Sequence, residues 1–197
     1  MPASTWLWAG GAILASSLLD KPVDNWAKNH QSGTADSLGT AANALPVALA
    51  LGAGLSYLGE GTGSPAETAL KAAGYTYVAN LATRFVVGRA RPIDELGSAS
   101  FNGMQGGATQ SSFASNHVAL SFALVTPFAQ QNNAPWLYGL AAASAFGRVQ
   151  KRDHWVSDTV AGAFMGYAIG SLLGEQRRHD GMRVSVTPQS VTASWEL

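Results

Sequence analysis

Residues 155–173 read WVSDTVAGAFMGYAIGSLL, a run of apolar and small residues that carries a single charge, Asp158. Its length and composition predict a helix. Runs of the same kind at Thr5–Leu19, Ala41–Leu58, Ala66–Val87, Asn116–Ala129 and Pro135–Val149 predict an all-α fold, a bundle of about six helices. Their Ala and Gly content lets helices approach closely whether the surroundings are water or lipid. Pro46 and Pro65 are expected to open helices, and residues 130–135 (QQNNAP) to make a tight turn between antiparallel neighbours. The stretch Val23–His30 suits a short amphipathic surface helix. Residues 92–115 are rich in Gly, Ser, Asn and Gln and read as a long loop, which in a compact domain is usually functional. At the far end, Arg183–Thr187 and Val191–Trp195 alternate apolar and polar residues around Pro188-Gln189-Ser190, the pattern of a small C-terminal β-hairpin. The expected organisation is one helical domain over residues 1–181, followed by a hairpin-like tail at 182–197 that is not a separate domain.

The 197 residues suffice for one domain with a sizeable core. Only 12% of them are charged, against a usual quarter, while 47% are hydrophobic and 22 are glycine. Most helix faces must therefore avoid water, and residues 96–147 contain no Asp, Glu, Lys or Arg at all. A bilayer span needs about 20 mainly apolar residues, a length that only the runs beginning at Ala41 and Trp155 approach. Mean hydropathy, at +0.07, is low for a protein of many spans. The expected location is the membrane of the cell envelope with the site facing the periplasm or the outside, a soluble periplasmic domain being the alternative. Zero formal net charge gives no electrostatic basis for nucleic-acid binding. The lack of cysteine excludes disulfides, thiolate catalysis and cysteine metal sites.

Half of the twelve Lys and Arg residues fall in two short stretches: Arg84, Arg89 and Arg91, then Arg148, Lys151 and Arg152. In the second, His154 is followed four residues later by Asp158, one helical turn away. The carboxylate is expected to hold one ring N–H and leave the other nitrogen free to attack. Arg148 adds a planar cation suited to phosphate oxygens. In the first stretch, Arg84 and Arg91 are seven residues apart and are expected to share a helix face, with Pro92 ending the helix. Arg89, Lys151 and Arg152 read as solvated or headgroup-facing charges. A third cluster, residues 112–117 (SFASNH), closes the long loop and opens a helix whose first N–H groups are free to bind an anion. Together the clusters point to phosphorus chemistry.

In order and spacing they resemble the type 2 phosphatidic acid phosphatase superfamily, which includes class A acid phosphatases and vanadium haloperoxidases. Its pattern is a basic residue, six others and Arg-Pro; then Pro-Ser-Gly-His; then Ser-Arg, five others, His, three others and Asp. The chain matches at Arg84, Arg91 and Pro92, at Ser115 and His117, and at Arg148, His154 and Asp158. It departs with Arg84 for Lys, Ala114 for Pro, Asn116 for Gly and Gly147 for Ser. The resemblance implies an acid phosphatase/vanadium haloperoxidase-like bundle in which His154, oriented by Asp158, forms a phosphohistidine and His117 serves the leaving group and then water. It implies that Arg84, Arg91, Arg148, the Ser115 hydroxyl and the Asn116 N–H hold the phosphoryl oxygens, and that no metal or other cofactor is required. The implied activity is hydrolysis of a phosphomonoester or pyrophosphate, with a lipid substrate favoured by the apolar helices. A soluble broad-specificity acid phosphatase, a vanadium-dependent haloperoxidase with His154 ligating vanadate, and a non-catalytic helical envelope protein are the alternatives.

Overall fold

The computed structural model describes residues 3–104, 111–180, 182–187 and 190–195, with side chains through residue 177; residues 105–110 of the long loop lie outside the described residues. Seven α-helices are described: α1 (Ala3–Ser17), α2 (Asp20–Asn29), α3 (Gly33–Glu60), α4 (Pro65–Val87), α5 (Asn116–Gln131), α6 (Trp136–Gln150) and α7 (Val156–Asp180). A 3₁₀ turn at Pro92–Asp94 follows α4, and β1 (Met182–Thr187) pairs antiparallel with β2 (Ser190–Trp195), Met182 opposite Trp195. Each of the six apolar runs falls on a helix apart from one or two end residues, Leu18 and Leu19 lying in the turn after α1. The amphipathic stretch at 23–30 falls on α2.

Helix boundaries follow local chemistry. Ser64 accepts the N–H of Glu67, Glu67 reaches back to the N–H of Gly63, and Pro65 occupies the first turn of α4, where its missing donor costs nothing. Pro46 behaves otherwise. It lies inside α3, because Ser32 caps the helix more than a turn earlier by accepting from Ala35, and the polar residues 33–40 are helical too. At the other end of α4, Gly88 adopts a left-handed conformation with φ 55°, and a Cβ there would lie 2.3 Å from the Asn102 carbonyl oxygen.

The bundle is organised around α5 and α7. Gly162, Gly166 and Gly170 recur every four residues and so form one stripe on α7. A Cβ at Gly166 would stand 2.0 Å from the Ala119 carbonyl oxygen, and one at Gly162 2.5 Å from that of Ser115. The two backbones are in direct contact. A second contact of this kind joins α6 to α3: a Cβ on Gly147 would meet the Ala42 Cβ at 2.6 Å and the Gly39 carbonyl at 2.8 Å. Position 147, which carries Ser in the family pattern, has no room here for a side chain.

Small residues therefore fill the interior, where most buried apolar positions are alanine. The larger side chains Leu124, Leu49 and Phe128 gather with Ala53 and Ala69 where α3, α4 and α5 meet. Many large apolar residues point outward instead. Val47, Leu51, Leu55 and Leu58 form a stripe on α3 that is between 61% and 82% exposed, and Leu7, Trp8 and Leu14 on α1 are exposed as well. The helix α3 and residues 156–177 of α7 are long and apolar enough to cross a membrane.

Gly166→Ala is expected to destabilise the fold by about 1–3 kcal/mol through overpacking, read as a lowered midpoint in thermal unfolding in detergent. Gly54→Ala, where an added Cβ meets nothing within 4 Å, should leave that midpoint unchanged or raise it.

Candidate functional site

Four helix ends converge on one place. The start of α5 is tied to the start of α7 by the Ser115 N–H, which donates to the Asp158 carbonyl at 3.0 Å. After α6, the chain turns sharply through Arg152, at φ 57°, so that the N–H groups of Asp153 and His154 both donate to the Arg148 carbonyl at 3.0 and 3.3 Å. The end of α4 leads to Arg89, whose carbonyl accepts the Ser112 N–H at 3.0 Å. In this way residues 84–91, 112–117 and 148–158, distant in sequence, become neighbours.

His154 is almost fully buried, at 1% exposure, and its Nδ1 lies 2.7 Å from the backbone carbonyl oxygen of Ser112. A carbonyl only accepts, so Nδ1 carries the proton and Nε2 presents its lone pair. The expected partner, Asp158, stands 3.8 Å from Nδ1, too far for a hydrogen bond. The ring is oriented by a main-chain group instead. Asp158 holds the scaffold around it: one carboxylate oxygen accepts from the Ser112 hydroxyl and from the Trp155 N–H at 2.9 Å, the other from Arg89 at 2.6 Å.

Arg89 differs most from its sequence reading. It is 4% exposed and joins two carboxylates, Asp158 at 2.6 Å and Asp20 at 2.7 Å, while also donating to the Ser157 hydroxyl and the Ser98 carbonyl. Asp20, the first residue of α2, accepts in addition the N–H and hydroxyl of Ser157 in the first turn of α7, where helix polarity favours negative charge. Lys151 and Arg152 are also paired rather than free, with Asp36 and with Asp24 respectively. None of these contacts was visible in the sequence except as a scatter of charges.

Above His154 lies a cationic cup. Burial first, then repulsion from Arg91 and Arg148, lowers the Arg84 guanidinium to about 10, so these three cations share one field. Arg84 donates to the Ala114 carbonyl at 3.3 Å and Arg91 to the Ser111 hydroxyl at 3.1 Å. Arg91 reaches the cup from the extended segment beyond α4, not along a shared helix face, because the helix ends at Val87. Five buried polar atoms of the expected site residues have no partner among the described residues: Arg91 Nε, Arg148 Nε, Ser115 Oγ, Asn116 Oδ1 and His154 Nε2. Burial, with Arg148 and Arg84 nearby, keeps the His154 imidazole below its ordinary range despite the pull of Asp158. His117 is held down to about 4, by burial first and then by Arg148, His154 and Arg84. Both rings are neutral near pH 7. The cup thus holds two neutral imidazoles, one of them with a buried lone pair, and three arginines, a set of groups suited to binding a tetrahedral oxyanion.

Two outcomes test this arrangement. Arg89→Met leaves the carboxylates of Asp20 and Asp158 buried together without their cation and is expected to cost about 3–5 kcal/mol of stability, measured by denaturant unfolding. An anion in the cup should also return the His117 pKa toward its ordinary value, so binding takes up a proton. Affinity for sulfate, which does not itself titrate here, is expected to rise as pH falls from about 7 to about 5. Calorimetry in buffers of different ionisation enthalpy reads the proton directly.

No curated protein and no solved structure matches the chain. The family model of the PAP2 superfamily does, over residues 68–179, a span that includes Arg84, His117, Arg148, His154 and Asp158. With more than half of its length so matched, the chain belongs to the PAP2 superfamily and carries that superfamily's phosphatase-type character.

Proposed function

We propose that the protein is a metal-independent phosphatase that hydrolyses a phosphomonoester or pyrophosphate of a lipid through a phosphohistidine. The observation that carries this reading is a set of buried atoms without partners among the described residues, carried by the residues gathered at the cup: Arg91 Nε, Arg148 Nε, Ser115 Oγ and the lone-pair nitrogen of His154. A buried donor without a partner costs about 1–3 kcal/mol, and a bound phosphoryl group satisfies several at once.

In the first step Nε2 of His154 forms a bond to phosphorus while the bond to the leaving oxygen breaks, and that oxygen receives the proton that His117 takes up when the phosphoryl anion binds. The His154 Nδ1–H stays on the Ser112 carbonyl, which holds the ring in line and favours the positive charge that develops on it. Arg84, Arg91 and Arg148, the Ser115 hydroxyl and the Asn116 N–H take the equatorial oxygens. Water, deprotonated by His117, then attacks phosphorus, releases inorganic phosphate and restores His154. Asp158 acts through Ser112 and Arg89 as a positioning residue.

The lipid assignment rests on the inverted distribution of side chains. Alanine, glycine and hydroxyl residues pack inside while leucine, valine and tryptophan face outward on α1 and α3, which suits hydrocarbon surroundings. We place the protein in the envelope membrane with the cup facing the periplasm or the outside.

Purified protein in detergent and EDTA is expected to release phosphate from para-nitrophenyl phosphate and from phosphatidate. His154→Ala should abolish release, and Arg148→Ala should lower kcat by about 10²–10³. Bromide oxidation that appears only with added vanadate, with no phosphate release, would refute the assignment.

A further inference from the structure

Asp153 has no part in the chemistry described above. Its carboxylate lies 3.1 Å from a terminal nitrogen of Arg148 and 3.8 Å from one of Arg91, the two arginines whose Nε atoms are unpartnered. It is also near enough to His117 to favour charge on that imidazole. Its position is fixed by the backbone, because the turn through Arg152 clamps the Asp153 N–H on the Arg148 carbonyl.

The side chain is 23% exposed whereas His154 is almost fully buried, so Asp153 stands at the mouth of the cup and the nucleophile at its floor. In-line displacement puts the leaving oxygen opposite His154, toward the mouth and His117. Whatever the leaving oxygen carries must therefore pass Asp153. An alkyl or glyceryl group brings no charge there. A second phosphate brings negative charge against a fixed carboxylate, and like charges a few ångströms apart disfavour one another strongly.

We propose that Asp153 is a specificity-determining residue that disfavours a second phosphate on the leaving-group side, so that the protein acts on lipid phosphomonoesters in preference to the matching diphosphates. This rests on the phosphatase reading, with His117 beside the leaving oxygen.

The test uses two substrates with one tail, farnesyl phosphate and farnesyl diphosphate in detergent, and measures initial phosphate release. Wild type is expected to show the higher kcat/KM with the monophosphate. Asp153→Asn keeps the shape and the hydrogen bond to Arg148 but removes the charge, and should raise the diphosphate-to-monophosphate ratio of kcat/KM by about tenfold. Asp153→Ser, a second neutral variant should the first fail to fold, should move the ratio the same way, and Asp153→Glu should leave it near wild type. A wild type faster on the diphosphate, or a ratio unchanged in the neutral variants because both substrates gain alike, overturns the proposal. If wild type releases phosphate from neither substrate, the phosphatase reading itself fails, an outcome distinct from an unchanged ratio.

Discussion

The contact of α5 with α7 through the glycine stripe sets the geometry of everything else. With a Cβ at Gly166 excluded by the Ala119 carbonyl, the two helices lie as close as backbones allow. Their first turns then fall side by side, which is why Ser115 can donate to the Asp158 carbonyl and why the loop before α5 passes over the His154 ring. A wider spacing would move the Ser112 carbonyl away from Nδ1 and leave the imidazole without an orienter.

On this frame the charges are layered. The lower layer is the buried pairing of Arg89 with Asp20 and Asp158, one cation between two carboxylates, with Ser157 and Ser98 satisfying the remaining polar atoms. The upper layer has the opposite imbalance, three arginines with Asp153 as the nearby carboxylate. Asp158 lies between them. Its charge is spent on the scaffold, and it steadies His154 only through Ser112 and the field.

Much of this was readable from spacing. The intervals among Arg84, Arg91, Ser115, His117, Arg148, His154 and Asp158 pick out residues that the fold brings together, since side chains with distinctive chemistry leave distinctive marks in a sequence. Residues 155–173 and the other apolar runs likewise announced the bundle. The orienting group of His154 could not be found this way, because a main-chain carbonyl is the same at every position. Asp20 was missed because its partner Arg89 is 69 residues away and only tertiary structure joins them. Arg89 itself looked like a solvated charge, as an arginine does until two carboxylates are folded around it. Pro46 departs from its expected place for a simpler reason: proline marks many helix starts, and the cap at Ser32 already serves that purpose.

Gly147 ties the segment that carries Arg148 to a helix packing surface. The residue beside Arg148 touches α3 at a main-chain oxygen, that of Gly39, which no substitution can trim away. Restoring a hydroxyl at 147 thus requires α3 to move as a body, not one neighbour to shrink. The energy of such a change is therefore coupled to the placement of the whole of α3 and does not add simply to that of substitutions at Ala42.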